Sequence, residues 1–155
     1  MGHLIGKKYC LDHLIDVAKS IVLAVHKAPQ ITGKTEVDAE IIWGEDLEPI
    51  IEVMGPVANV MRYAKWDYET IKNCYDKGES PVIIAIGGKV SRSNLNWNCG
   101  ACGFDTCKEF NAYSKEYKGG GQLGGPSCNW KLLELAIACD WACASAWQYR
   151  VDNRI

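Results

Sequence analysis

PVIIAIGG, residues 81–88, is the stretch on which the fold turns. It is a short, nearly continuous apolar run, rich in β-branched residues and flanked by Pro81 and the Gly87–Gly88 pair. Such a run reads as a buried strand. Its C-terminal end leads towards NCGACGFDTCKEF, residues 98–110, where Cys99, Cys102 and Cys107 fall within nine residues. After that loop, Trp130 to Arg150 is apolar nearly all round, so a buried helix is expected there.

Upstream, Leu11, Leu14, Ile15, Ala18, Ile21, Val22 and Val25 recur at three and four residues and define one face of a first helix. Pro29 and Gly33 end it. In EVDAEIIWG, residues 36–44, Val37, Ala39, Ile41 and Trp43 alternate with Asp38 and Glu40, the pattern of a strand with one wet face. Asp46 can cap a helix beginning near Leu47, with Pro49 tolerated in its first turn. Gly55-Pro56 is expected to break or kink that helix. Another helix is expected from Asp67 to Lys77, closed by Gly78. The order helix, strand, helices, strand, cysteine loop, helix describes one mixed α/β layer fold. At 155 residues the chain is most simply one domain, residues 1–155, with residues 89–128 as an insertion between a core strand and a core helix.

Hydrophobic content of 48% and charged content of 23% are those of a globular protein. A formal net charge of -2 and the absence of a Lys/Arg run argue against nucleic acid as a partner. No apolar run is long enough to cross a bilayer, and the start lacks a secretory signal. The expected location is therefore the reducing cytoplasm. There, eight cysteines point to metal binding or redox chemistry rather than disulfides.

An iron–sulfur cluster takes four thiolates. Three on a tight loop can reach three corners of a cubane, and Gly100 and Gly103 let the backbone wrap it and aim N–H groups at its sulfurs. The fourth ligand is best placed at Cys128, in GGPSCNWK, where Gly124, Gly125 and Pro126 make a bend and a helix begins. A helix N-terminus favours an anionic ligand. Zinc also suits four cysteines, but structural zinc sites usually pair two close CxxC hooks, and this chain has one hook, a near neighbour and a remote cysteine. Spacing favours iron–sulfur and leaves zinc open.

NCGACGFDTC resembles the CxxCGxxxC signature of the small 4Fe–4S domain in the corrinoid iron–sulfur protein and in the B subunit of the Rnf electron-transfer complex. More broadly, the chain is similar to a prokaryotic family of ferredoxin domain-containing proteins of unknown function, common in anaerobes. VAKSIVLAVHKAPQITG, the cysteine loop, GPSCNWKLLELAIA and the ending VDNRI carry this resemblance. It implies a 4Fe–4S cluster on Cys99, Cys102, Cys107 and Cys128, an electron carrier or redox subunit serving a partner protein, and no established reaction. A more distant similarity to flavin-dependent nitroreductases implies an α+β fold, a mixed sheet flanked by helices with the cluster loop inserted, and a homodimer. It also admits FMN and a flavoenzyme fed by the cluster. Against flavin stands Trp141 in AIACDWACASA, bulky where small residues would let a flavin approach, and the chain also stops at Ile155, where relatives usually continue.

The remaining candidates have plainer readings. Cys139 and Cys143 lie one turn apart and could form a second hook, but read as small buried thiols, as do Cys10 and Cys74. His3, His13 and His26 are scattered, the last two on the solvated side. Asp152 and Arg154 suit pinning of the chain end. Trp130, Trp141 and Trp147 could surround a cluster or cross a dimer, with aromatic core the simpler account. Arg92 and Ser93 could meet a flavin phosphate. The KEYKGGG segment, residues 115–121, is expected to be polar and exposed.

Overall fold

The computed structural model of the chain describes residues 6–79, 81–116 and 125–155. Its elements are α1 (Gly6–Lys27), β1 (Val37–Ile42), a 3-10 turn (Gly44–Leu47), α2 (Glu48–Val60), α3 (Arg62–Asp76), β2 (Ile83–Gly88), α4 (Cys107–Glu116) and α5 (Asn129–Gln148). This is an α+β arrangement with a two-stranded sheet among the described residues. His3, Gly124 and the segment from Tyr117 to Gly121 lie outside those residues.

The chain divides into two compact units. One comprises Met1–Lys19 and Glu40–Ala85, the other Ser20–Ala39 and Ile86–Ile155. The boundaries fall inside α1, β1 and β2. The described residues of the insertion expected at 89–128 belong to the second unit and include a helix, α4.

α1 follows its hydrophobic pattern. Val17, Ala18, Ile21 and Val25 are buried, while His13, Asp16, Lys19 and His26 are exposed. The helix stops at Lys27, two residues before Pro29, whose ring disfavours helical backbone at the residue ahead of it. β1 shows the expected alternation, Asp38 and Glu40 on the wet side. The Lys89 N–H just beyond β2 donates to the Glu36 carbonyl just before β1 at 3.3 Å, so the strands run antiparallel. β2 is not a buried strand. Ala85 and Gly87 are exposed and its other residues only half-buried, because each strand of a two-stranded sheet is an edge.

In the first unit, α2 runs through Gly55-Pro56 to Val60. A Cβ built on Gly55 would make an ordinary 3.6 Å contact with the Tyr68 hydroxyl of α3, so Gly55 lies on the face that meets α3 and does not end the helix. Packing against α3 overrides the local breaker signal. Asp46 sits within the 3-10 turn and caps nothing, and Leu47 takes the N-cap position. Pro49 is in the first turn as expected. α3 starts five residues before Asp67 and ends as expected, the Gly78 N–H donating to the Tyr75 carbonyl at 2.9 Å.

α5 departs most from expectation. It is not buried all round: Leu132, Leu133, Trp141 and Trp147 are exposed. Its buried stripe is Lys131, Glu134, Ala138, Ala142 and Ala146. Trp141 and Trp147 therefore do not form an aromatic core. The two charged residues face inward because each has a partner there. The Lys131 ammonium, 4% exposed, donates to the Arg92 carbonyl at 3.2 Å. Glu134, 1% exposed, accepts from the Thr32 N–H, from the Thr32 hydroxyl at 2.9 Å and from the Thr35 hydroxyl. A buried carboxylate is tolerated only when its lone pairs are satisfied in this way.

Candidate metal centre

The segment from Ser91 to Asn98 forms one wall of a pocket, and its shape comes from polar contacts. Asn111 on α4 clamps Ser93: its carboxamide oxygen accepts from the Ser93 N–H at 2.7 Å and its NH2 donates to the Ser93 carbonyl at 2.8 Å. The Ser114 hydroxyl donates to the Ser91 carbonyl at 2.5 Å. Beyond Ser93 the chain repeatedly adopts left-handed backbone, with φ of 55° at Asn96, 46° at Asn98, 72° at Gly100 and 84° at Gly103. Asparagine and glycine are the residues that enter this region most readily. The turn is closed by the Gly103 N–H on the Gly100 carbonyl at 2.9 Å.

α4 begins at Cys107 behind a capping box. The Glu109 N–H donates to the Thr106 hydroxyl at 3.1 Å, and the Glu109 carboxylate accepts from the Thr106 N–H at 3.3 Å. The Asn98 carboxamide oxygen takes the Cys107 N–H at 2.9 Å. Cys128 is the N-cap residue of α5, and its N–H reaches the Val90 carbonyl at 2.8 Å. Two helix N-termini therefore each present a buried cysteine. Beneath them Phe110, fully buried, packs with Leu95 and Cys128, and Cys102, Phe104 and Trp130 close around it. Phe104 meets Phe110 edge-on at 5.8 Å and lies 5.3 Å from Tyr113.

The result is one open pocket whose lining includes Cys99, Cys102, Cys107 and Cys128. The structure thus brings all four sequence-selected cysteines to one place. Among the described residues no three His, Cys, Asp or Glu side chains are gathered about one point. Cys107 and Cys128 are buried, Cys102 is half-buried and Cys99 is exposed.

The electrostatics are uneven. The Ser93 hydroxyl donates to Cys107 Sγ at 3.6 Å, and that bond does most to hold the Cys107 thiol below its ordinary pKa. Burial acts the other way, and the backbone N–H groups of Asn98, Trp97 and Asn96 add to the lowering. Successive N–H groups of this kind form a small anion-binding nest. At the opposite side, the Trp130 indole N–H donates to Cys99 Sγ at 3.3 Å.

Other candidates fall away. Cys139 and Cys143 are half-buried on α5, and burial pushes both thiols up, the neighbouring Asp140 adding to the rise at Cys143. Cys10 is exposed rather than buried, its thiol near the Gly6 carbonyl. Asp152 to Ile155 are exposed, and the Asn153 side-chain NH2 donates to the Val151 carbonyl at 3.1 Å. Ser93, set aside for a flavin phosphate, instead serves Cys107. Asn96, Asn98, Asn111 and the Thr106–Glu109 capping box escaped the reading of the sequence. T-x-x-E before an apolar residue was a legible signal for α4, and the NLNWNCG alternation marked the left-handed turns.

Fold and pocket together define an α+β protein with a four-cysteine site at two helix N-termini. A family described as uncharacterized proteins containing a ferredoxin domain matches residues 124–155. An uncharacterized protein from Archaeoglobus fulgidus is 30% identical over 153 residues, which cover 98% of this chain and 78% of that relative. The chain belongs to this family of ferredoxin domain-containing proteins. No solved structure matches. Among the described residues no helix is long and apolar enough to cross a membrane.

Proposed function

We propose that this protein is an iron–sulfur protein of one-electron transfer, with a 4Fe–4S cluster held by Cys99, Cys102, Cys107 and Cys128. The observation that carries this reading is the convergence of those four side chains on one pocket. The donor set suits the group, since four thiolates are its usual ligands. The surroundings suit an anion: two helix N-termini, the nest over Cys107, and the buried Lys131 ammonium behind the Ser93 wall. The ferredoxin domain in the family's description points the same way.

When bound, such a cluster supplies a reversible one-electron couple. The chain's residues do the rest. The cysteines anchor it, Ser93 and the Asn96–Asn98 turn donate to Cys107, and Phe104 and Phe110 keep water from beneath. The reading calls for a redox partner protein in the cytoplasm. It also carries the homodimer, in which a second copy would cover Leu132, Leu133, Trp141 and Trp147.

The test is anaerobic purification with iron and sulfide analysis and visible spectroscopy. The expected result is broad brown absorbance with about four irons per chain. Cys128→Ser is expected to lose or convert the chromophore, and Cys139→Ser to leave it intact. Bands of bound flavin would mark a nitroreductase-like flavoenzyme instead, and colourless protein with stoichiometric zinc a metal-stapled structural or sensor module.

A further inference from the structure

Of the four cysteines Cys99 is the exposed one, and it carries its own fittings. The Trp130 indole N–H points at its sulfur, 3.3 Å away. Trp97 stands against Trp130 edge-on, with ring centroids 6.0 Å apart and planes at 67°. Trp130 is anchored beneath by Leu95, Phe110 and Cys128, whereas Trp97 is 49% exposed and holds no core position. From Ser93 to Phe104 the chain bears no charged side chain. Within that segment, hydrogen bonds and access of water are what remains to act on the charge at Cys99.

Resting on the reading that these cysteines hold a 4Fe–4S cluster, we propose that Trp130 and Trp97 are positioning residues that set the reduction potential at the Cys99 corner, in opposite directions. Reduction adds one electron and no proton, and part of the added negative charge falls on the ligand sulfurs. A donor at Cys99 Sγ stabilises the more negative state, so the Trp130 N–H raises the potential. Trp97 lines the same pocket as Cys99 and packs edge-on against the indole that donates to it, so its ring limits water at that corner; less water disfavours the more charged state, and Trp97 lowers the potential. An aromatic pair that served only packing would have no reason to act with two signs.

The experiment compares the anaerobically reconstituted wild type with Trp130→Phe and Trp97→Ala. Iron content establishes that the cluster is present. The midpoint potential is then read by redox titration of the visible absorbance, and iron release is timed with a ferrous chelator. Trp130→Phe keeps a ring on Trp97 but loses the donor, and its midpoint is expected to move negative. Trp97→Ala keeps the donor but admits water, and its midpoint is expected to move positive, with faster iron release. Because Trp130→Phe also shortens the ring, benzothienylalanine at position 130, with sulfur in place of the indole N–H, is expected to reproduce the negative shift. Shifts of the same sign in both iron-loaded variants, or none in either, overturn the proposal. A wild type that takes up no iron overturns the reading of the cysteines, and this proposal with it.

Discussion

α1 and α5 are the two long helices of the chain, 22 and 20 residues, and they turn different chemistry inward. α1 buries Val17, Ala18, Ile21 and Val25. α5 buries Lys131, Glu134 and three alanines, and leaves Leu132 and Leu133 outside. The apolar stripe of α1 gains free energy in proportion to the area it covers and is indifferent to small rotations. Hydrogen bonds are not indifferent, since they weaken steeply with distance and angle. Glu134 gripping Thr32 and Thr35, and Lys131 gripping the Arg92 carbonyl, therefore fix both the rotation and the axial position of the first turns of α5. Those turns carry Cys128 and Trp130, two residues of the pocket whose placement matters to a fraction of an ångström. The alanines at 138, 142 and 146 then let the rest of the helix lie close without demanding a shape.

If that contrast is right, α1 responds to lost volume and α5 to lost acceptors. The largest effect is expected on α1: Ile21→Ala should cost about 2–5 kcal/mol in denaturant unfolding, the usual range for a truncated core isoleucine, while leaving the iron content of folded protein unchanged. Glu134→Ala should cost about 1–3 kcal/mol, because the Thr32 and Thr35 donors are left buried without partners. Unlike Ile21→Ala, it should also lower iron occupancy, since α5 loses its register.

Glu134 allows a sharper form of the same test. Burial raises its pKa, but the Thr35 hydroxyl, the Thr32 N–H and hydroxyl, and the Gly33 N–H together outweigh burial and hold it below the ordinary 4.5. A depressed folded-state pKa contributes stability that is complete above the unfolded value and is lost as pH falls through the folded one. The stability advantage of wild type over Glu134→Gln should thus be constant at neutral pH and shrink below about pH 4.5. An advantage that grew on acidification would show that the carboxylate is not held ionised.

The smallest effect is expected on the outer face of α5. Leu133→Gln should change monomer stability by less than about 0.5 kcal/mol, as for other exposed substitutions. If a second copy covers this face, the same change should weaken the dimer in sedimentation velocity. No change in either measurement would leave α5 exposed along that face in solution and end the dimer proposal.

Much was legible in the residues. The 3.6-residue recurrence in α1 and the period of two in β1 each name an element because they report a face, and a face follows from local geometry alone. The CxxC hook, Cys107 and Cys128 could be selected because thiols in that spacing have few uses other than binding metal or doing redox chemistry. α4 was missed although its capping box was visible, because the segment was read only for its cysteines. Other features were not available locally. Pro56 breaks an isolated helix, and only the packing of α2 against α3 shows why α2 continues.

What the sequence by itself determined is which side chains are candidates for the chemistry, four cysteines and two glycines among them, and which segments alternate or recur. What only the tertiary structure decided is which way α5 faces, and that Ser93, Asn98 and Trp130 stand at the sulfurs. The physical reason is that hydrophobic periodicity counts apolar residues along one helix. A buried Glu134 or Lys131 is stable solely through partners about a hundred and about forty residues away in the chain, and no local pattern records them.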